Sequence, residues 1–297
     1  MAHISVLLQP SIDGLAFKKG DIFLDGTING GGHSTEVARR FGKDVKIIGI
    51  DADHDALTKA RVALEAQHAD FVLEEENFRN LDKVLLKLEI PHVSKILLDL
   101  GLSSNQFEES GRGFTFQKDE PLKMTFKKNP TENDVTAEEI VNTWEENNIA
   151  DIIYGYGEER YSRKIAKAIV DSRQVKPIKT TSDLVEILRK AVPGRYQHGK
   201  IHFATRTFQA LRITANDEIR ALEEGLKKGF EVLTTKGRMA VISFHSIEDR
   251  VVKNFFRDRA RAGEAQLIHK KPIVPTILEV ESNRRARSAK LRIIEKI

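Results

Sequence analysis

The chain reads as an α/β protein: a mostly parallel sheet with helices on both faces, interrupted by an inserted helical region. Three observations predict this. Short apolar runs alternate with helical periodicity through the first hundred residues, the pattern of strand–helix units. Three of those runs close on acidic residues, Asp25, Asp51 and Asp99, at strand ends where such sheets bind ligands. A long stretch with helical signals and no convincing strand then separates these runs from two further strand-like segments.

The elements follow in order. Ile22–Asp25 is a short apolar strand, 35–41 a helix, Lys46–Asp51 (KIIGID) a buried strand and 52–67 a helix. Residues 69–73 form a third strand, 81–88 a helix and 96–100 (ILLDL) a fourth strand. Residues 101–130 are rich in Gly, Ser, Phe and Lys and show no period. Helices follow across 136–192, with Thr136 placed as an N-cap three residues before Glu139 and TTSDLVEILRK repeating the theme. From about 207 one long helix is expected, then a turn at Lys236-Gly237 and a strand at 238–244. A basic amphipathic helix at 247–260 and an alternating strand, KLRIIEKI, complete the chain. The simplest organisation is a discontinuous α/β domain, 1–105 and 206–297, around a helical domain at 106–205.

Composition narrows the chemistry. The 297 residues include no cysteine, which excludes disulfides, zinc–thiolate sites and a thiol nucleophile. A formal charge of +4 permits a polyanionic partner without demanding one. Residues 250–297 are different: they hold 13 Lys and Arg against 5 Asp and Glu, densest at Arg284, Arg285, Arg287, Lys290 and Arg292. Such a patch suits phosphate contacts; a solvated face is the plainer alternative. No targeting segment and no run of about 18 apolar residues is visible, so a cytoplasmic protein is expected.

The sharpest local feature is Asp25-Gly-Thr-Ile-Asn-Gly-Gly-Gly-His-Ser34, between a strand and a helix. Consecutive glycines let the backbone approach a ligand closely. A P-loop is excluded because Gly32 stands where Lys is needed, and the dinucleotide fingerprint fails at Thr35. Asp51, at the end of the second strand, can accept from both hydroxyls of a ribose or simply cap a helix. Together with the glycine loop, the adenosine reading is preferred.

The ordered set DGTINGGGHS, IGIDAD, NFRNL, LLDLGLSSNQF, RGFTF, PLKM, YGEER, RTFQALRITANDE, VISFHSIEDRVVKNFF and NRRARSAKLR resembles the bacterial 16S rRNA (cytosine-N4)-methyltransferase family, also called MraW or RsmH, over nearly the whole chain. The resemblance implies a class I S-adenosylmethionine-dependent methyltransferase, with a Rossmann-like sheet and an inserted all-helical domain that recognises substrate. It implies that Gly31, Gly32 and His33 contact the cofactor, that Asp51 holds its ribose, that Phe78 flanks the adenine, and that Asp99 and Gln106 complete the shell. The implied substrate is the exocyclic N4 of a cytidine in the decoding region of small-subunit rRNA, within the small ribosomal subunit; no metal is expected, and a homodimer is allowed. Asn29 departs from a usual glycine, Gly111 from an acidic residue and Lys123 from a usual Asp.

A cytosine amine is a poor nucleophile, so it must be aligned and its protons accepted as charge develops. Asp99, Ser103 and Ser104 are the candidates for that acceptor. Substrate contacts are assigned to Arg112, Phe114 and Phe116, with the rings stacking on an extruded base or packing the insertion. His245, Arg285 and Arg287 join them, His245 as a cleft or structural residue. Two rival readings remain: an NAD-dependent oxidoreductase, disfavoured by the broken fingerprint, and an RNA-binding assembly factor with a vestigial cofactor site.

Overall fold

A computed structural model describes residues 5–101, 110–127, 130–131 and 134–297. The chain forms two compact units, one from Met1–Gly101 with Ile219–Ile297 and one from Leu102–Glu218.

The first unit begins with helix α1 (Leu8–Leu15), which the sequence reading missed. Strand β1 (Ile22–Asp25), helix α2 (Gly32–Phe41), β2 (Lys46–Asp51), α3 (His54–Glu65), β3 (Asp70–Glu75), α4 (Leu81–Lys87) and β4 (Val93–Asp99) then alternate as expected. Helix α2 starts three residues before its expected position, because Gly31 takes the left-handed conformation at its N-cap, φ 81°. A side chain there would be strained, and a Cβ would lie 3.1 Å from Ala60 Cα on α3.

The second unit is helical. It contains α5 (Ala137–Thr143), α6 (Glu146–Gly157), α7 (Ser162–Arg173), α8 (Thr181–Ala191), the single turn α9 (Gly194–Gln197) and α10 (Thr205–Ala215). Both anticipated caps form: Thr136 accepts from the Glu139 amide, and Thr180 makes a full capping box with Asp183. One apolar core fills the unit, built around Ile140, Ile149, Ile153, Ile165, Leu184 and Leu211.

The single long helix expected from 207 is two helices, α10 and α11 (Glu218–Val232). The chain breaks where Asp217 adopts φ 49°. Asn216 is held there by its side chain, which accepts from the Phe126 amide at 2.8 Å and donates to the Met124 carbonyl at 2.7 Å. Helical periodicity continues through the break, so the sequence pattern conceals it.

The first unit resumes with α11, β5 (Leu233–Ser243), α12 (Ser246–Arg261), β6 (Ala265–Leu267), α13 (Ile277–Ser282) and β7 (Lys290–Lys296). The Lys236-Gly237 turn is instead an irregularity inside β5: Lys236 sits at φ 62° and the pairing with β4 shifts register between Val93 and Lys95.

The seven strands are ordered β3-β2-β1-β4-β5-β7-β6. The first five are parallel; β7 runs antiparallel to β5, and β6 antiparallel to β7. Separate apolar cores cover the two faces, one including Leu15, Phe23, Val37, Ile47 and Ile293, the other Leu24, Ile48, Leu85, Leu226 and Phe256. The chain reverses its direction of strand addition between β1 and β4. That switch point leaves a crevice at the strands' carboxyl ends, the standard ligand position in such sheets. Among the described residues, no helix is long and apolar enough to cross a membrane.

Candidate active site

The carboxyl ends of β1, β2 and β4 place Asp25, Asp51 and Asp99 around the switch point. The loop after β1 laces them together. Thr27 Oγ1 accepts from the Asp99 amide at 2.6 Å, and the Gly26 amide donates to Leu97. On the other side, the Asn29 amide donates to Asp51 Oδ2 at 2.9 Å. Asn29 sits at φ 50°, and its side chain donates to the Thr27 carbonyl at 3.0 Å. Asparagine tolerates this conformation better than most residues, so the departure from glycine preserves the turn.

Each carboxyl group is electrostatically costly where it stands. Asp25 is 1% exposed, and burial pushes it up to about 7 despite the Ser34 hydroxyl bonded to it at 2.6 Å. Burial likewise pushes Asp51 up to about 6, against the opposing pull of the amides of Asp53 and Asn29. Asp99 is held well above the usual carboxylate range, first by burial and then by the charges of Asp25 and Glu248. Its Oδ1 is buried and has no hydrogen-bond partner among the described residues. Three desolvated acids around one crevice, with an unpartnered carboxyl oxygen, fit a cationic ligand that carries hydroxyl groups. Asp51 retains acceptor capacity, since two amides occupy only part of a carboxylate's roughly four lone-pair directions.

The three loop glycines divide by cause. Gly31 is required by its positive φ and by Ala60, and a Cβ on Gly32 would meet Ser5 Oγ at 2.0 Å. Gly30 has no such constraint: a Cβ there meets nothing within 4 Å. The ring of His33 is turned inward, 5% exposed, with Nε2 3.2 Å from the Val6 carbonyl and Nδ1 3.7 Å from Asp99 Oδ2. It therefore lies buried beside Asp99. Phe78 opens a short 3-10 turn after β3; its Cβ lies beside Gly26, and its ring packs so closely on Gly225 of α11 that a Cβ there would clash.

Other expected site residues are distributed differently. Ser103, Ser104 and Gln106 lie outside the described residues. His245, following β5, is the N-cap of α12: its ring accepts from the Glu248 amide, while Glu248 accepts from the amides of Phe244 and His245. That bond caps the helix. In the helical unit, Phe114 is 5% exposed, with Phe126 stacked at 5.9 Å and the Arg112 guanidinium 5.6 Å from its ring centroid. Its ring is packed into the core of this unit, the second of the two roles expected for it. Arg112 is buried and donates to the carbonyls of Thr125 and Phe126, so it braces this loop. Phe116 is half-buried and stacks on the exposed His202 at 4.6 Å. Arg285 and Arg287 lie on the 3-10 turn Arg284–Ser288, with Arg287 exposed.

Sequence reasoning left Thr27, Ser34 and Glu248 out of the site and gave Asp25 no role. The position of Asp25 at a strand end was readable; the hydroxyl of Ser34 reaching back to it was not.

A parallel sheet reversed at β1/β4, closed by an antiparallel β7 and bearing this acidic crevice, is consistent with the Rossmann-like sheet of class I S-adenosylmethionine-dependent methyltransferases. The family model and the curated relatives identify the family. The MraW methylase family matches residues 1–297. The Ribosomal RNA small subunit methyltransferase H of Carboxydothermus hydrogenoformans is 43% identical over 311 residues, covering 100% of this chain and 98% of that protein. The protein of the same name from Clostridium botulinum (strain Kyoto / Type A2) is 41% identical, covering 99% of each. An rRNA methylase structure from Streptococcus thermophilus aligns with a TM-score of 0.46 at 13% identity, covering 100% of this chain and 99% of that one. The chain belongs to the MraW methylase family.

Proposed function

We propose that this protein methylates the exocyclic N4 of a cytidine in the decoding region of 16S rRNA, in the cytoplasm and on the small ribosomal subunit. Family membership and the names of the relatives support the rRNA substrate. The observation that carries the chemistry is Asp99: a carboxyl at the end of β4 whose buried Oδ1 is unpartnered among the described residues.

S-adenosylmethionine, when bound, supplies an electrophilic methyl group on a cationic sulfur. The protein's own residues do the rest. Asp51 accepts from ribose hydroxyls, and Phe78 walls the adenine side. The main chain at Gly30–Gly31–Gly32 gives close approach, and the crevice's negative potential favours the cation. Asp99 accepts from the N4 amine, orients its lone pair and stabilises the positive charge that develops on nitrogen. The amine then loses a proton to restore neutrality, and a carboxylate with a raised proton affinity suits that step. Ser103 and Ser104 remain alternative acceptors. The helical unit presents the RNA, with Phe116 offering a ring to an unstacked base. Arg285 and Arg287 contribute phosphate contacts.

The test is mass spectrometry of 16S rRNA nucleosides after incubating undermethylated small subunits with protein and cofactor. N4-methylated cytidine is expected with the wild type, and a drop on the order of 10²-fold in rate with Asp99→Asn. No methylated cytidine from the wild type refutes the assignment; full turnover by Asp99→Asn removes Asp99 from its role.

A further inference from the structure

A cavity of about 400 Å³, lined by none of the crevice's three acids, lies on the antiparallel side of the sheet, between α12, β6, β7 and the chain that links β6 to α13. Its walls are firmly built. The linking chain is pinned to β7 twice, by the Ile268 amide on the Ile293 carbonyl at 3.1 Å and by reciprocal bonds between Ile273 and Leu291 at 2.9 Å. Lys270 and Lys271 occur between these pins and are exposed. Across the cavity, Lys253 and Arg257 stand one turn apart on one face of α12.

Phe256 and Ile293, each 1% exposed, close the bottom, and the apolar surface left open is that of half-buried Leu267 and Pro272. The single carboxylate in the lining, Asp249, is already bonded by Arg292 at 2.7 Å and Lys290 at 3.0 Å. Among the described residues, Lys253, Lys270 and Lys271 have no ion-pair partner. Some lysines elsewhere in this chain face a carboxylate, as Lys87 faces Glu74 and Lys228 faces Asp82. Here three ammonium groups converge on one concavity without one. Like charges held together by a pinned loop repel, and an anion between them relieves that cost.

We propose that this cavity binds a phosphate-bearing nucleotide of the RNA chain, with the phosphate on the lysine rim and the sugar or base against Leu267 and Pro272. The size is that of a small-ligand pocket, and a basic rim over an apolar floor complements a nucleotide unit. The inference rests on the reading that RNA is the substrate. It adds an anchoring point remote from the reacting amine, one that positions the RNA without reading its sequence.

The test uses the full-length protein and a labelled single-stranded RNA oligonucleotide, with affinity measured by fluorescence anisotropy through a salt series. The double variants Lys270→Ala/Lys271→Ala and Lys253→Ala/Arg257→Ala are each expected to weaken binding on the order of tenfold and to reduce the logarithmic salt slope by about 1.4. The thermal shift produced by S-adenosylmethionine stays at the wild-type value in both. If the wild type binds RNA and both variants match it in affinity and slope, the cavity is not an RNA site although the RNA reading stands. A wild type that binds no RNA overturns both. Inorganic phosphate that stabilises the wild type but not the variants, with RNA affinity unchanged by the substitutions, makes this a site for a free anion and also overturns the proposal.

Discussion

Ser34 donates its hydroxyl proton to Asp25 Oδ2 at 2.6 Å, tying the first turn of α2 to the end of β1. The bond stabilises a carboxylate that burial otherwise disfavours, and burial prevails: Asp25 reaches about 7.

The first prediction follows from that balance. An Asp whose affinity for a proton is higher in the folded state contributes stability that is complete below the unfolded value, near 4, and is lost as pH rises toward 7. The melting temperature of the ligand-free protein should therefore fall between pH 5 and pH 8. Asp25→Asn, which retains an acceptor for Ser34 but does not titrate, should flatten that decline. Thermal melts of the two proteins over this range decide it; parallel curves contradict the assignment.

Cofactor affinity should have the opposite pH dependence. Asp51 must be ionised to accept fully from ribose hydroxyls, and it titrates near 6. Calorimetry should show affinity for S-adenosylmethionine falling as pH drops through that value. Asp51→Asn should bind about 10- to 100-fold more weakly, the cost of about 1.5–3 kcal/mol in charge-assisted hydrogen bonding. An affinity unaffected by the substitution removes Asp51 from the ribose.

Adjacent glycines should respond differently to alanine. Gly31→Ala places a side chain at φ 81° against Ala60 and should destabilise the fold by about 1–3 kcal/mol. Gly30→Ala meets no protein atom, so it should fold normally and lose cofactor affinity. Denaturant melts and calorimetry separate the two effects; loss of stability with retained affinity at Gly30 refutes the division.

Phe114 and Phe116 offer a similar contrast. Phe114→Ala empties a packed position and should cost about 3–5 kcal/mol of stability. Phe116→Ala should leave folding largely intact and weaken RNA binding by about 1–3 kcal/mol. Equal effects on RNA affinity from both substitutions would argue that neither ring touches a base.

The alternation of strands and helices was legible because short apolar runs and helical spacing are local signals. The acidic strand ends at Asp25, Asp51 and Asp99 were legible for the same reason. Boundaries failed where distant contacts decide them. Asn216 breaks a continuous helical pattern because it bonds to backbone groups some ninety residues earlier. Lys236-Gly237 reads as a turn, yet pairing with β4 absorbs it as a strand irregularity. Phe114 and Phe116 are two residues apart in one motif; only tertiary packing distinguishes the core ring from the half-buried one. His245 reads in sequence as a cleft or structural residue, and in the fold its ring caps α12.

The sheet is assembled from chain segments separated by the whole helical unit: β4 ends at Asp99 and its neighbour β5 begins at Leu233. During synthesis at about 5–20 residues per second, β4 therefore waits roughly 7–27 s for the partner that covers its edge. For that interval the nascent chain exposes an apolar strand edge of the kind that templates aggregation. The protein's yield in a cell thus depends on how well that edge is sheltered, and truncation within the helical unit should give an insoluble fragment rather than a working half.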